Sequence, residues 1–177
     1  MATTLTEILK KRRSVRKFDG RAVPRETLEN ILALALTAPS SKNTRSTRFM
    51  VVGETEVLEK MSEMRDFGSG FLKDVPCGIL VMGDTSVDLW VDNASISATI
   101  LQLAAEEAGL GSCWVHVNGR PRLRERPDGP NAADYLRTFL PVPAGYSPLC
   151  IVALGYPADP PKPRGEKDDS DKIIWLL

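Results

Sequence analysis

One histidine in 177 residues removes most nucleophile–base chemistries from consideration. His116 lies in an apolar, strand-like run, so no Ser-His-Asp or Cys-His arrangement is credible, and a satisfied structural role is the simpler reading of this side chain. Cysteine is also scarce. Cys77, Cys113 and Cys150 are odd in number, widely spaced and set in apolar runs. They form neither a metal-ligand pattern nor a disulfide framework, and they read as buried reduced thiols of a cytoplasmic protein. Net charge is absent as well: Lys plus Arg and Asp plus Glu number 23 each. That balance argues against a nucleic-acid binder, which carries a basic excess. No apolar run approaches the roughly eighteen residues of a membrane span. The N-terminal Met-Ala-Thr-Thr-Leu-Thr-Glu has no basic-then-apolar signal pattern. Asp74, Asp84, Asp88 and Asp92 fit no calcium-loop spacing and read as helix caps.

What remains is an ordinary globular composition, 42% apolar and 26% charged, of a length that suits one domain. Thr4 and Glu7 match a capping box, which predicts a helix over residues 4–12 with Leu5, Ile8 and Leu9 on its apolar face. Pro24 suits a first helical position. Leu28, Ile31, Leu32, Ala35 and Leu36 continue that helix until Ala38-Pro39. Residues 39–48 read as a loop and Phe49–Val52 as a buried strand. Thr55 reads as the N-cap of a third helix reaching Met64, with Leu58 and Met61 inward. Residues 65–74 read as loop and Cys77–Gly83 as a second strand.

The longest helix spans Asp88–Ala108 and is apolar around most of its circumference, as in a helix buried centrally or at a subunit interface. Gly109-Leu110-Gly111 reads as its stop, with Gly109 in a left-handed cap. Ser112–Val117 and Leu149–Leu154 complete the strands. Residues 118–130 form an exposed excursion, residues 132–140 a short helix, and residues 158–172 an extended arm. Ile173–Leu177 form an apolar end that would add to a sheet edge, in this subunit or a neighbour. The composite is α+β, with four or five short strands packed by helices in a mixed sheet.

The chemistry concentrates at Arg12-Arg13-Ser14-Val15-Arg16-Lys17-Phe18. Three guanidiniums and a hydroxyl within five positions offer planar forks that fit a phosphate. Taken alone, the run also reads as a solvated helix end favoured by the macrodipole. Ser40, Ser41 and Asn43, taken alone, read as turn residues after a Pro-terminated helix.

Four blocks in order nevertheless resemble one family. They are Arg12–Phe18, Ala38–Asn43 leading into the strand at Phe49, Asp92–Trp114, and Leu154–Pro157 with Lys162-Pro163-Arg164 and the closing Ile173-Ile174-Trp175. The chain resembles the nitroreductase family of FMN-dependent oxidoreductases in its shorter form. The resemblance implies a nitroreductase-like fold, one domain over residues 1–177, and an intertwined homodimer with two interfacial FMN sites. It implies that Arg12, Arg13 and Ser14 contact the phosphate or ribityl chain, and that Arg16 sits near the flavin N1 and O2 edge. Pro39, Ser40 and Ser41 would line the ring from the other subunit, with Asn43 in the same cofactor-binding block. Cys113 and Trp114 would approach the ring, while Lys162 and Arg164 would close on the phosphate.

The implied reaction takes hydride from NADH or NADPH through flavin N5 to a nitroaromatic, quinone or similar acceptor in ping-pong fashion, with no obligatory catalytic side chain and no metal. Neither nucleic acid nor a membrane is an expected partner. Two other readings stay open: an FMN-binding sensing module without turnover, and a reductase fed by another donor. One departure stands out. Where the family often has Gln-Pro-Trp, this chain has Thr44-Arg45-Ser46-Thr47-Arg48. Arg45 or Arg48 could there recognise an anionic substrate or the phosphate of NADPH.

Overall fold

The computed structural model describes residues 3–162, 165 and 168–176. The capping box folds as its residues dictate. Helix α1 covers Leu5–Lys11, with the Thr4 hydroxyl accepting from the Glu7 amide and the Glu7 carboxylate accepting from the Thr4 amide. Helix α2 covers Arg25–Ala35, with Pro24 one place before its start. Strand β1 (Thr47–Val52) leads to helix α3 (Thr55–Ser62). Thr55 is not the cap: the Glu54 carbonyl takes the first bonds, from the Val57 and Leu58 amides, and Thr55 already lies in the helix. A 3₁₀ turn at Gly70–Asp74 interrupts the expected loop ahead of strand β2 (Cys77–Asp84).

Helix α4 (Trp90–Glu107), strand β3 (Gly111–His116), helix α5 (Ala132–Arg137) and strand β4 (Tyr146–Gly155) follow. Strand β4 starts three residues before Leu149. Pro148, just before the strand expected from Leu149, sits at a bulge where the register against β2 shifts between Val81 and Met82.

The sheet order is β1-β2-β4-β3, and every neighbouring pair of these strands is antiparallel. Among the described residues the parallel contribution is one bridge, Ser14 with Ser112, at the β3 edge. Helices cover both faces, so the central strands are apolar on both sides. Leu80, Met82, Ile151, Ala153, Cys113 and Val115 face α3 and α5. Ile79, Val81, Cys150, Val152 and Leu154 face α2 and α4. All three cysteines are buried free thiols. Burial pushes Cys77 up to about 11 and Cys150 well above the ordinary thiol range.

Helix α4 crosses the whole sheet. Near its start, Asn93 bonds Ser46 and Ser97 bonds Thr47, both at the β1 edge; further along, Gln102 bonds Ser112 at the opposite, β3 edge. Ala94, Ala98, Leu101 and Ala105 form its inward stripe. Gly109 takes the left-handed cap, with φ +75°. Gly111 has another role. A Cβ there would lie 2.8 Å from the Val15 side chain, so its lack of one lets the N-terminal segment lie against β3. The excursion after Asn118 is tied back by a Pro121–Asn131 bridge and by the Asp66 amide donating to the Arg122 carbonyl. Among the described residues Ile173–Leu176 pair with no strand, and they are largely exposed.

Candidate functional site

The N-terminal basic block is held in place by backbone pairing. Leaving α1, the chain bridges Ser14 to Ser112, and the Val15 amide donates to the Ser112 carbonyl at 2.9 Å. It then passes the end of β4. Phe18 bridges Pro157, the Asp19 amide donates to the Tyr156 carbonyl at 3.0 Å, and the Ala158 amide donates to the Lys17 carbonyl at 3.1 Å. These contacts bring the arm after Gly155 alongside the block that opens the chain. Arg13, Ser14, Val15, Arg16 and Lys17 from one end, and Asp159, Pro161 and Lys162 from the other, line an open cleft of about 350 Å³. Arg164 lies outside the described residues.

The cations divide their labour. Arg13 is mostly committed to the protein: its Nη1 donates to the carbonyls of Lys10, Lys11 and Arg12, closing the end of α1, and its Nε donates to the Lys162 carbonyl at 3.1 Å. It therefore fastens the arm to the helix. Among the described residues the Arg12 guanidinium donates to no oxygen. Arg16 reaches only the Ser14 carbonyl, at a marginal 3.5 Å. No ion pair within 4.0 Å engages Arg12, Arg13, Arg16, Lys17 or Lys162 among those residues. Arg12 is half-buried and does not line the cleft, but its field reaches inward. Burial raises the Glu106 carboxyl against the opposing pull of Lys11, Arg12 and Arg13. Burial likewise raises the Cys113 thiol, with Arg16, Ser14 and Arg12 acting in the opposite sense.

An unpaired set of guanidinium and ammonium groups beside a small hydroxyl is the donor set that a phosphomonoester requires, since that group carries close to two negative charges. The residues present fit the phosphate end of FMN on this count.

The second block stands elsewhere. Ser41–Asn43 form a 3₁₀ turn, and three residues without glycine's freedom take left-handed backbone: Lys42 at φ 50°, Asn43 at 54° and Arg45 at 48°. Such a conformation costs roughly 1–2 kcal/mol for a residue with a Cβ, so the surroundings must enforce it. Asn93 does so. This side chain, 2% exposed, accepts from the Ser41 amide at 2.8 Å and donates to the hydroxyls of Ser46, Ser41 and Thr44 at 3.0, 3.3 and 3.3 Å. The Ser41 amide can only donate, which fixes which way round the Asn93 amide sits. The Ser40 hydroxyl accepts from the Arg45 amide at 2.9 Å. Reading the residues one by one could not reveal Asn93 in this role, because its partners lie about fifty positions away; only its place inside the third block drew attention to it.

Within one chain the two blocks do not meet. Pro39, Ser40, Ser41 and Asn43 neighbour the β1 edge, while Arg12, Arg13, Ser14 and Arg16 neighbour the β3 edge, roughly 14 Å away across three strand spacings. Cys113 faces the α3 side of the sheet beside Ser14, and Trp114 faces the α4 side. The Trp114 indole N–H donates to His116 Nδ1 at 3.3 Å, and the two rings stack at 6.2 Å. Burial, then Arg120 and Arg65, lower the His116 pKa and favour the neutral ring that accepts from the indole.

Known proteins share this architecture. The model of the Nitroreductase family matches residues 9–66 and 63–156. A protein of Methanothermobacter thermautotrophicus, provisionally described as an NADH dehydrogenase/NAD(P)H nitroreductase, is 36% identical over 171 residues, covering 94% of this chain and 84% of its own length. An Archaeoglobus fulgidus protein of the same description is 34% identical over 153 residues, covering 84% of this chain and 82% of its own. The solved structure of an FMN-dependent nitroreductase from Clostridium difficile R20291 superposes with a TM-score of 0.88 at 40% identity, over 96% of this chain and 98% of that one. On sequence, fold and the order of its motifs, this chain belongs to the nitroreductase family of oxidoreductases.

Proposed function

We propose that this chain, acting as one FMN-binding domain over residues 1–177, is an FMN-dependent oxidoreductase that couples oxidation of NADH or NADPH to reduction of a nitroaromatic, quinone or similar electron-poor acceptor, with ping-pong kinetics. The observation that carries the reading is the cleft in which the Arg13–Lys17 segment and Lys162 come together from the two ends of the chain. FMN, when bound, supplies the two-electron chemistry. The protein supplies position and field. Ser14 and Lys162 would hold the phosphate, with Arg12 and Arg164 adding charge. Arg13 keeps the arm seated through the Lys162 carbonyl. Arg16, exposed and nearly unpartnered, would place positive charge where the cofactor's polar edge becomes anionic on reduction. Cys113 and Trp114, whose side chains face opposite sides of the sheet, would approach the ring through the backbone of β3.

A homodimer belongs to this proposal. The Pro39–Asn43 block cannot reach the cleft of its own chain, so a second copy would bring it there. The surface supports such a partner: Leu5, Leu9, Leu34, Leu36 and Ile96 are exposed, as are Ile173 to Leu176. The direct test is the visible spectrum of the purified protein with added FMN. Retained absorbance near about 450 nm that bleaches on mixing with NADH or NADPH is the expected result. A protein that stays colourless, or whose colour neither nicotinamide bleaches, contradicts the proposal.

A further inference from the structure

The strained loop between α2 and β1 presents a feature that cofactor binding leaves unused. Arg45 and Arg48 look alike in sequence, but the fold separates them. The Arg48 guanidinium lies 4.3 Å over the Tyr146 ring and near Asp84. It is accounted for by its own chain. Arg45 is exposed. Its backbone amide is taken by Ser40, and its guanidinium donates to no oxygen among the described residues. Lys42, three positions earlier, is likewise exposed and without an ion pair there.

Both residues hold left-handed backbone that glycine would adopt freely. Buried Asn93 and Ser46, 2% and 4% exposed, clamp the loop so that neither can relax. Two cationic residues are thus held at fixed backbone positions, on the loop that flanks the ring in the proposed function.

We propose that Arg45, assisted by Lys42, selects for an oxyanion on the small molecule that visits the site: the 2′-phosphate of NADPH or a carboxylate on the acceptor. This inference rests on the FMN-dependent reading above. A guanidinium prefers a phosphate or carboxylate, which it meets with two parallel N–H donors. Held beside the ring but outside the phosphate cleft, it discriminates between visiting substrates and adds nothing to cofactor retention.

The experiment compares wild type with Arg45→Gln and Arg45→Lys, all loaded with FMN. Two ratios of kcat/KM are read: NADPH over NADH, and 4-nitrobenzoate over 4-nitrobenzamide. Arg45→Gln is expected to lower one ratio about tenfold, with Arg45→Lys between the two. The wild-type ratio should also shrink as salt is raised. A fall in the first ratio identifies the nicotinamide phosphate as the ligand, and a fall in the second identifies the acceptor carboxylate. A yellow, active protein whose two ratios ignore Arg45→Gln overturns the proposal alone. A protein that never takes up FMN removes the underlying reading and the proposal with it.

Discussion

His116 sets a pH dependence of its own. Its Nδ1 accepts from the Trp114 indole, and its surroundings disfavour the imidazolium, through burial first and then the charges of Arg120 and Arg65. In the unfolded chain the ring returns to the ordinary imidazole value of about 6.5. Below that pH the unfolded chain binds a proton that the folded chain refuses. Stability is therefore level above that value and falls as pH drops toward the depressed folded pKa. Urea midpoints recorded between about pH 7 and 5 should decline in wild type and decline less in His116→Gln, which cannot titrate there. Equal slopes for the two proteins would show that this ring is not the group responsible. The three buried thiols add nothing in this window, because burial moves them upward, away from neutral pH.

At the scale of elements, α4 organises the site. It spans the sheet and delivers Asn93 to the strained loop and Gln102 to Ser112, which bridges Ser14 of the basic cleft. Asn93→Ala leaves the Ser41 amide and the Ser46 hydroxyl without partners and frees the three left-handed residues. The variant should lose about 2–3 kcal/mol in denaturant unfolding, and amide exchange at Ser41 should accelerate. Unchanged exchange there would mean that the loop is held by something else. Elements with local signals were readable in the sequence: α1 through its capping box, β2 and β3 through apolar runs between turn residues, and α4 through length and composition. The misreadings arose where distant partners decide. Pro148 continues β4 because a bulge against β2 absorbs it. Gly111 serves the approach of Val15 and not only a helix stop. The α2–β1 loop reads as plain turn because its strain comes from Asn93, far along the chain. The basic block at Arg12–Arg16 could be read as a phosphate site; that Arg13 would be spent fastening the C-terminal arm could not, because the carbonyl it meets belongs to residue 162.

At the scale of the whole molecule, one chain presents half of the proposed site at each edge of its sheet and a largely exposed apolar segment at residues 173–176. Ile174, Trp175 and Leu176 are 85%, 71% and 94% exposed, and leaving so much apolar surface in water is unfavourable. Deleting residues 173–177 should shift the protein toward monomer in analytical ultracentrifugation and weaken FMN retention in the same preparation. A flavin-loaded dimer after truncation would dissociate the tail from assembly. The central claim, that the two ends of the chain meet around a phosphate, has a sharper test. Fluorescence titration of the flavin-free protein compares FMN with riboflavin, which differs only in lacking that group. With several charge-assisted bonds at about 1.5–3 kcal/mol each, FMN should bind at least about a hundredfold more tightly. Equal affinity for the two flavins would contradict the account.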